Sequence, residues 1–154
     1  MSVYARLEEL GLELPPAPKP VAAYVPWVRS GNLVFISGQL PMLGGKLVCA
    51  GAVPTEVAPD KAKAAARMCA LNLLAVLQDA AGGDLNNVAR VVRLGVFVQS
   101  APGWGEQPGV ANGASELMVD LFGDAGRHAR AAVGSIGLPL GAPVEVEGTF
   151  ELKA

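Results

Sequence analysis

The residues that could do chemistry are few. The 154-residue chain has one histidine, His128, and two cysteines, Cys49 and Cys69. A structural zinc site takes about four Cys or His ligands, more than these supply. Both cysteines sit among apolar residues and read as small buried hydrophobes rather than a disulfide pair. His128 lies in the run Arg127-His-Ala-Arg130. No nucleophile-base-acid set stands out around it, so it reads as a surface or interface residue. Gly123-Asp-Ala-Gly126 has the look of a phosphate cradle. It lacks the lysine and the strand-to-helix context of a phosphate loop, and reads as a helix exit.

Two pairs of charges are more informative. Arg127 and Arg130 precede a glycine-containing break at Gly134 and Gly137, and Glu145 and Glu147 follow it. If both segments are strands of one sheet, an Arg and a Glu can face the same side. An arginine fork grips a carboxylate through two parallel hydrogen bonds, and a nearby Glu can position or activate a water. The plainer reading is a cross-strand ion pair.

The elements that would position these groups follow from pattern. Ser2 to Leu10 reads as a short helix capped by Ser2 and stopped by Gly11. Pro15 to Pro20 holds four prolines, which excludes helix and central strand and implies an extended linker. Residues 1–20 are therefore expected to be an extension, with the compact domain, 21–154, starting near Val21. Leu33-Val-Phe-Ile36 reads as a buried strand, and Gly44-Gly45 as a hairpin turn with a short return over Lys46–Cys49. Pro59 and Asp60 open a helix that Gly82-Gly83 close. Leu71 and Leu74 fall off its main apolar stripe, which predicts cover on more than one side. Val88 to Val98, rich in valine, reads as a long strand. Ala101 to Pro108 reads as a loop, and Gly109 to Phe122 as a second long helix. Ala129–Val133 and Val144–Leu152 read as strands. In the last, apolar residues alternate with Glu145, Glu147, Thr149 and Glu151, the mark of a sheet with one polar face. The class is α+β or α/β.

Composition narrows the rest. Hydrophobic residues are 51% of the chain, aromatics 5% and charged residues 17%. That excludes intrinsic disorder, which needs low hydrophobicity and high net charge. Twelve basic and fourteen acidic residues give a net charge of -2. No basic surplus offers itself to nucleic acid, so no nucleic-acid partner is expected. No basic-then-apolar leader opens the chain, and no apolar run nears the roughly 18 residues of a membrane span. A reducing, cytoplasmic setting fits the cysteine use. The mean hydropathy of +0.37 is high for so few charges, and implies either that a large share of the chain is buried or that some apolar surface is covered by another subunit.

Two separated motifs resemble those of the Rid/YjgF family. Gly31-Asn-Leu-Val-Phe-Ile-Ser-Gly-Gln-Leu-Pro41 is similar to that family's first signature. Arg130-Ala-Ala-Val133, Leu138-Pro139 and Val144-Glu-Val-Glu147 are similar to its C-terminal one, at the same spacing. The resemblance covers about residues 20–154. It implies an α+β, chorismate-mutase-like fold, with a mixed sheet and two helices packed on one face. It also implies a homotrimer with small-molecule sites in the clefts between subunits. The activity implied is cofactor-free hydrolysis of enamine/imine intermediates, in the manner of a 2-iminobutanoate/2-iminopropanoate deaminase. Carried over, Arg130 would clamp the substrate carboxylate and Glu145 would handle the attacking water. Tyr24, Ser37, Gly38 and Gln39 would line the pocket, joined by a helix residue at Asn112 or Ser115. The departures are Ala131 and Ala132, where the active branch often has Ser and Cys. They leave open a non-catalytic role, binding a small carboxylate. RNA cleavage, a label the family has carried, fits the net charge poorly.

Overall fold

A computed structural model describes residues 2–17 and 23–154. The boundary expected near Val21 and the end of the proline linker lie outside these residues. The described chain runs α1 (Val3–Glu9), β1 (Trp27–Ser30), β2 (Leu33–Gln39), β3 (Met42–Leu43), β4 (Lys46–Leu47), α2 (Pro59–Ala80), β5 (Val88–Gln99), α3 (Gln107–Phe122), β6 (Ala129–Ser135) and β7 (Val144–Leu152). Five strands form one mixed sheet in the order β1-β2-β7-β5-β6, and β3 pairs with β4 in a separate hairpin. Only β5 and β6 are parallel among the pairs of the large sheet. That pairing requires a crossover, and α3 is the crossover helix.

The alternation read in β7 decides which face is buried. Val144, Val146, Gly148, Phe150 and Leu152 turn toward the helices, and Glu145, Glu147, Thr149 and Glu151 turn away. Across the register, Leu94 and Val96 of β5 and Val34 and Ile36 of β2 join the buried side. Leu73, Leu74 and Leu77 of α2 and Leu117, Met118 and Leu121 of α3 cover it. This is the mixed sheet with helices on one face that the family resemblance implies. From Cys69 to Leu77 helix α2 is buried at every position, since α3 flanks it while the sheet lies beneath, whereas Lys61, Ala64 and Asp79 are exposed.

Helix α1 docks on the same core. Val3 and Leu7 are buried, and the Tyr4 hydroxyl donates to Gln78 Oε1 and accepts from the Leu85 amide, both at 2.8 Å. Three helices, not two, thus lie on the covered face among the described residues. The other face carries Val28, Phe35 and Val133, each about half exposed, beside half-buried Phe97. Nothing among the described residues covers it.

Gly113 sets how closely the two long helices approach. A Cβ there would collide with the Lys63 carbonyl oxygen of α2. The contact fixes the height at which α3 presents its neighbouring side chains. No helix of the described residues is long and apolar enough to cross a membrane.

Candidate functional site

Arg130 lies on β6, an edge strand, opposite Leu94 of the parallel partner β5. Parallel partners share a face, so the arginine turns to the helix side with the buried Leu94. There it meets α3. Asn112 and Ser115, three residues apart, lie on one face of that helix. Arg130 Nη1 donates to Asn112 Oδ1 at 2.8 Å and to Ser115 Oγ at 3.1 Å. Both candidate helix residues, Asn112 and Ser115, thus accept from the arginine.

Both Nη1 protons are spent on these neutral acceptors. Nε and Nη2, the other edge of the guanidinium, have no partner among the described residues. No ion pair there joins Arg130 to any carboxylate. A half-buried cation held by neutral groups, with one fork of N–H donors free, is arranged to take an anion in bidentate fashion.

His128 belongs to the same cluster. Its Nε2 lies 2.8 Å from Ser115 Oγ and its Nδ1 lies 2.6 Å from the Gly126 carbonyl oxygen. Burial lowers its pKa, and the Arg130 charge lowers it further against the Gly126 hydrogen bond, so the ring is neutral near pH 7. The sequence reading makes His128 a surface or interface residue and does not join it to Arg130. The available signal was its spacing from Arg130: two residues apart near a strand puts both side chains on one face.

Glu145 stands elsewhere. It pairs with Phe97, on the uncovered side of the sheet. Its carboxylate lies against the bare backbone of Gly38, where a Cβ would collide with Oε2. Ser37 and Gly38 form a bulge in β2, two residues set against Glu147 of β7. Ser37 Oγ donates to the Val25 carbonyl at 2.8 Å, which ties the segment carrying exposed Tyr24 to the bulge. Gln39 turns the other way. It is buried, and its amide closes the bulge by donating to the Ser37 carbonyl at 2.9 Å. It lines no surface beside Glu145. Burial, and secondarily the charge of Glu147, raise the pKa of Glu145.

The sequence-derived picture of an Arg and a Glu side by side on one sheet face is thus corrected. The two segments are strands of one sheet, but β5 lies between them. Their side chains leave by opposite faces. The cross-strand ion pair is absent too: among the described residues no salt bridge links Arg127 or Arg130 to Glu145 or Glu147, and Arg127 lies near Asp124 at 3.7 Å. Residues Gly123–Gly126 form a short 3-10 turn at the exit of α3. Cys69 is buried as read, whereas Cys49 is only half-buried. Among the described residues no group of three or more His, Cys, Asp or Glu is placed to hold a metal ion.

Comparison with known proteins adds to this geometry. A family model described as "YjgF/chorismate mutase-like, putative endoribonuclease" matches residues 4–147. The protein TCP17 of Trypanosoma cruzi is 48% identical over 154 residues, covering 98% of this chain and 94% of its own. A crystal structure from Shewanella oneidensis MR-1, titled a putative endoribonuclease, is 32% identical with a TM-score of 0.94, over 99% of this chain and all of the other. A crystal structure of RidA from the Antarctic bacterium Psychrobacter sp. PAMC 21119 is 30% identical with a TM-score of 0.61, over 88% of this chain and 94% of its own. At nearly equal identity, the Shewanella chain superposes far better and includes the α1 region.

Proposed function

Since this chain belongs to the YjgF/chorismate-mutase-like family, we propose that it hydrolyses small 2-imino acids to 2-keto acids and ammonia. The observation that carries the reading is the Arg130 guanidinium. It is half-buried, anchored through Nη1 to neutral acceptors, and has its Nε–Nη2 edge free. A 2-imino acid offers a carboxylate next to its reactive carbon, so one fork both binds and orients it.

The chemistry asks little more. Water adds to the imine carbon, forming a C–O bond while the C=N π electrons move to nitrogen, which takes a proton. A second proton on nitrogen turns it into a leaving ammonia. The C–N bond breaks and the hydroxyl gives up its proton to become the keto oxygen. Glu145 is suited to carry protons in this sequence. Its raised pKa brings its two protonation states closer together near neutral pH. Arg130 and Glu145 leave the sheet by opposite faces, so a complete site is built from two chains. The uncovered face with Phe35, Phe97 and Val133 is the surface available for packing chains together. We take the assembly to be the homotrimer that the family resemblance implies.

The test is ammonia release from enzymatically generated 2-aminoacrylate. Arg130→Ala should lower it by about 10²-fold or more while leaving the oligomer intact. Undiminished turnover would sink the proposal. A second reading, non-catalytic binding of a small carboxylate, draws on Ala131 and Ala132 beside the arginine. Saturable binding of a 2-keto acid, with no imine hydrolysed, would favour it. RNA cleavage draws no support from a net charge of -2.

A further inference from the structure

Resting on the reading of Arg130 as the carboxylate clamp, we propose that His128 is a positioning residue for it, acting through Ser115. The argument is one of proton directions. The Gly126 carbonyl oxygen can only accept, so His128 Nδ1, at 2.6 Å, carries the ring proton and donates it there. That leaves Nε2 bare. The Ser115 hydroxyl, at 2.8 Å, must then donate to Nε2. With its proton committed, Ser115 Oγ turns lone-pair density to Arg130 Nη1, 3.1 Å away.

A serine hydroxyl rotates freely and is donor as well as acceptor. Without a fixed acceptor behind it, its proton can swing toward the guanidinium and repel it. Asn112 alone would hold one Nη1 proton and leave the group able to turn about that bond. With His128 in place, two fixed acceptors on α3 determine the plane of the guanidinium, and hence where Nε and Nη2 point. His128 touches no substrate in this arrangement. It acts by removing a choice from Ser115.

His128 is the sole histidine, so its imidazole signals need no assignment by mutation. Nitrogen-15 NMR of the ligand-free protein at pH 7 should show the neutral Nδ1–H tautomer, the minor form of free histidine. Calorimetry with 2-oxobutanoate then measures the clamp. His128→Ala should weaken binding about tenfold. His128→Gln, whose amide oxygen can accept from Ser115 where Nε2 did, should stay within about twofold of the parent. The doubly substituted Ser115→Ala/His128→Ala protein should bind no worse than Ser115→Ala alone, because the histidine acts only through the serine. A simple packing role would give multiplying losses and no rescue by glutamine.

An Nε2–H tautomer, multiplying losses, or unaltered binding in His128→Ala would each overturn the inference. Arg130→Ala separates this failure from that of the underlying reading. If it abolishes binding while the His128 variants bind normally, only the relay is wrong. If it binds normally, the clamp itself falls and the relay with it.

Discussion

Arg130 and Glu145 meet their surroundings in opposite ways. The arginine is held by neutral acceptors. The glutamate is pressed against Gly38 and beside Glu147, where charge is disfavoured. The sign of the consequence can be worked out. A carboxyl whose folded pKa lies above its unfolded one binds more protons folded than unfolded. Stability therefore falls as pH rises from the unfolded value through the folded one. Glu145→Gln removes that penalty. The variant should melt higher than the parent at pH 7, with the gap closing below about pH 4, where both carry no charge at this position. Its turnover should drop about 10²–10⁴-fold if the carboxyl moves protons. Thermal melts at pH 4 and 7, alongside ammonia release, check both halves. The motif singled out Arg130 and Glu145, and the roles proposed for them rest on it, but their spatial relation was not legible there. It depends on β5 lying between β6 and β7, a fact of strand order that no local spacing carries.

At the scale of elements, alternation and helix punctuation served well. Strand β7 spans Val144–Leu152, as its pattern predicts, and β5 ends within one residue of its predicted limit. Strand β1 escaped notice because it has four residues at a sheet edge, three of them exposed, and so no burial pattern to read. Helix α3 starts at Gln107, two residues early, since Pro108 sits in its first turn, where a missing N–H costs nothing. The Ser37-Gly38 bulge was invisible for a different reason: a bulge is defined by its partner strand. The α2–α3 spacing yields a test at this scale. Gly113→Ala gains about 1 kcal/mol of helix propensity, yet forces its Cβ into the Lys63 carbonyl. Overpacking of that kind costs about 1–3 kcal/mol, and main-chain oxygen yields less readily than a side chain. The melt should fall by about 2–6 °C, and 2-oxobutanoate should bind more weakly because Asn112 moves with the helix. A melt equal to the parent's would mean that the two helices slide apart without cost.

For the whole molecule, the high hydropathy and the uncovered sheet face describe one property. The chain buries one side of its sheet under its own helices and keeps Val28, Phe35 and Val133 half exposed on the other. Helix α1 contributes to the covered side only, stitched by Tyr4 to the end of α2 and the approach to β5. The sequence reading set residues 1–20 apart because prolines follow the first helix. A proline run fixes local chain direction but does not forbid the helix before it from returning to the core.

The departure of Arg130 and Glu145 by opposite faces has a genetic consequence. If each chain lends one half of a site to a neighbour, two dead proteins can repair one another. Arg130→Ala chains keep a sound Glu145, and Glu145→Gln chains keep a sound Arg130. Unfolded together in equal amounts and reassembled at random, they should regain about a quarter of parental turnover, since a cleft needs one sound half from each neighbour. Neither protein should recover when refolded alone. A site drawn wholly from one chain would leave the mixture as inactive as its parts.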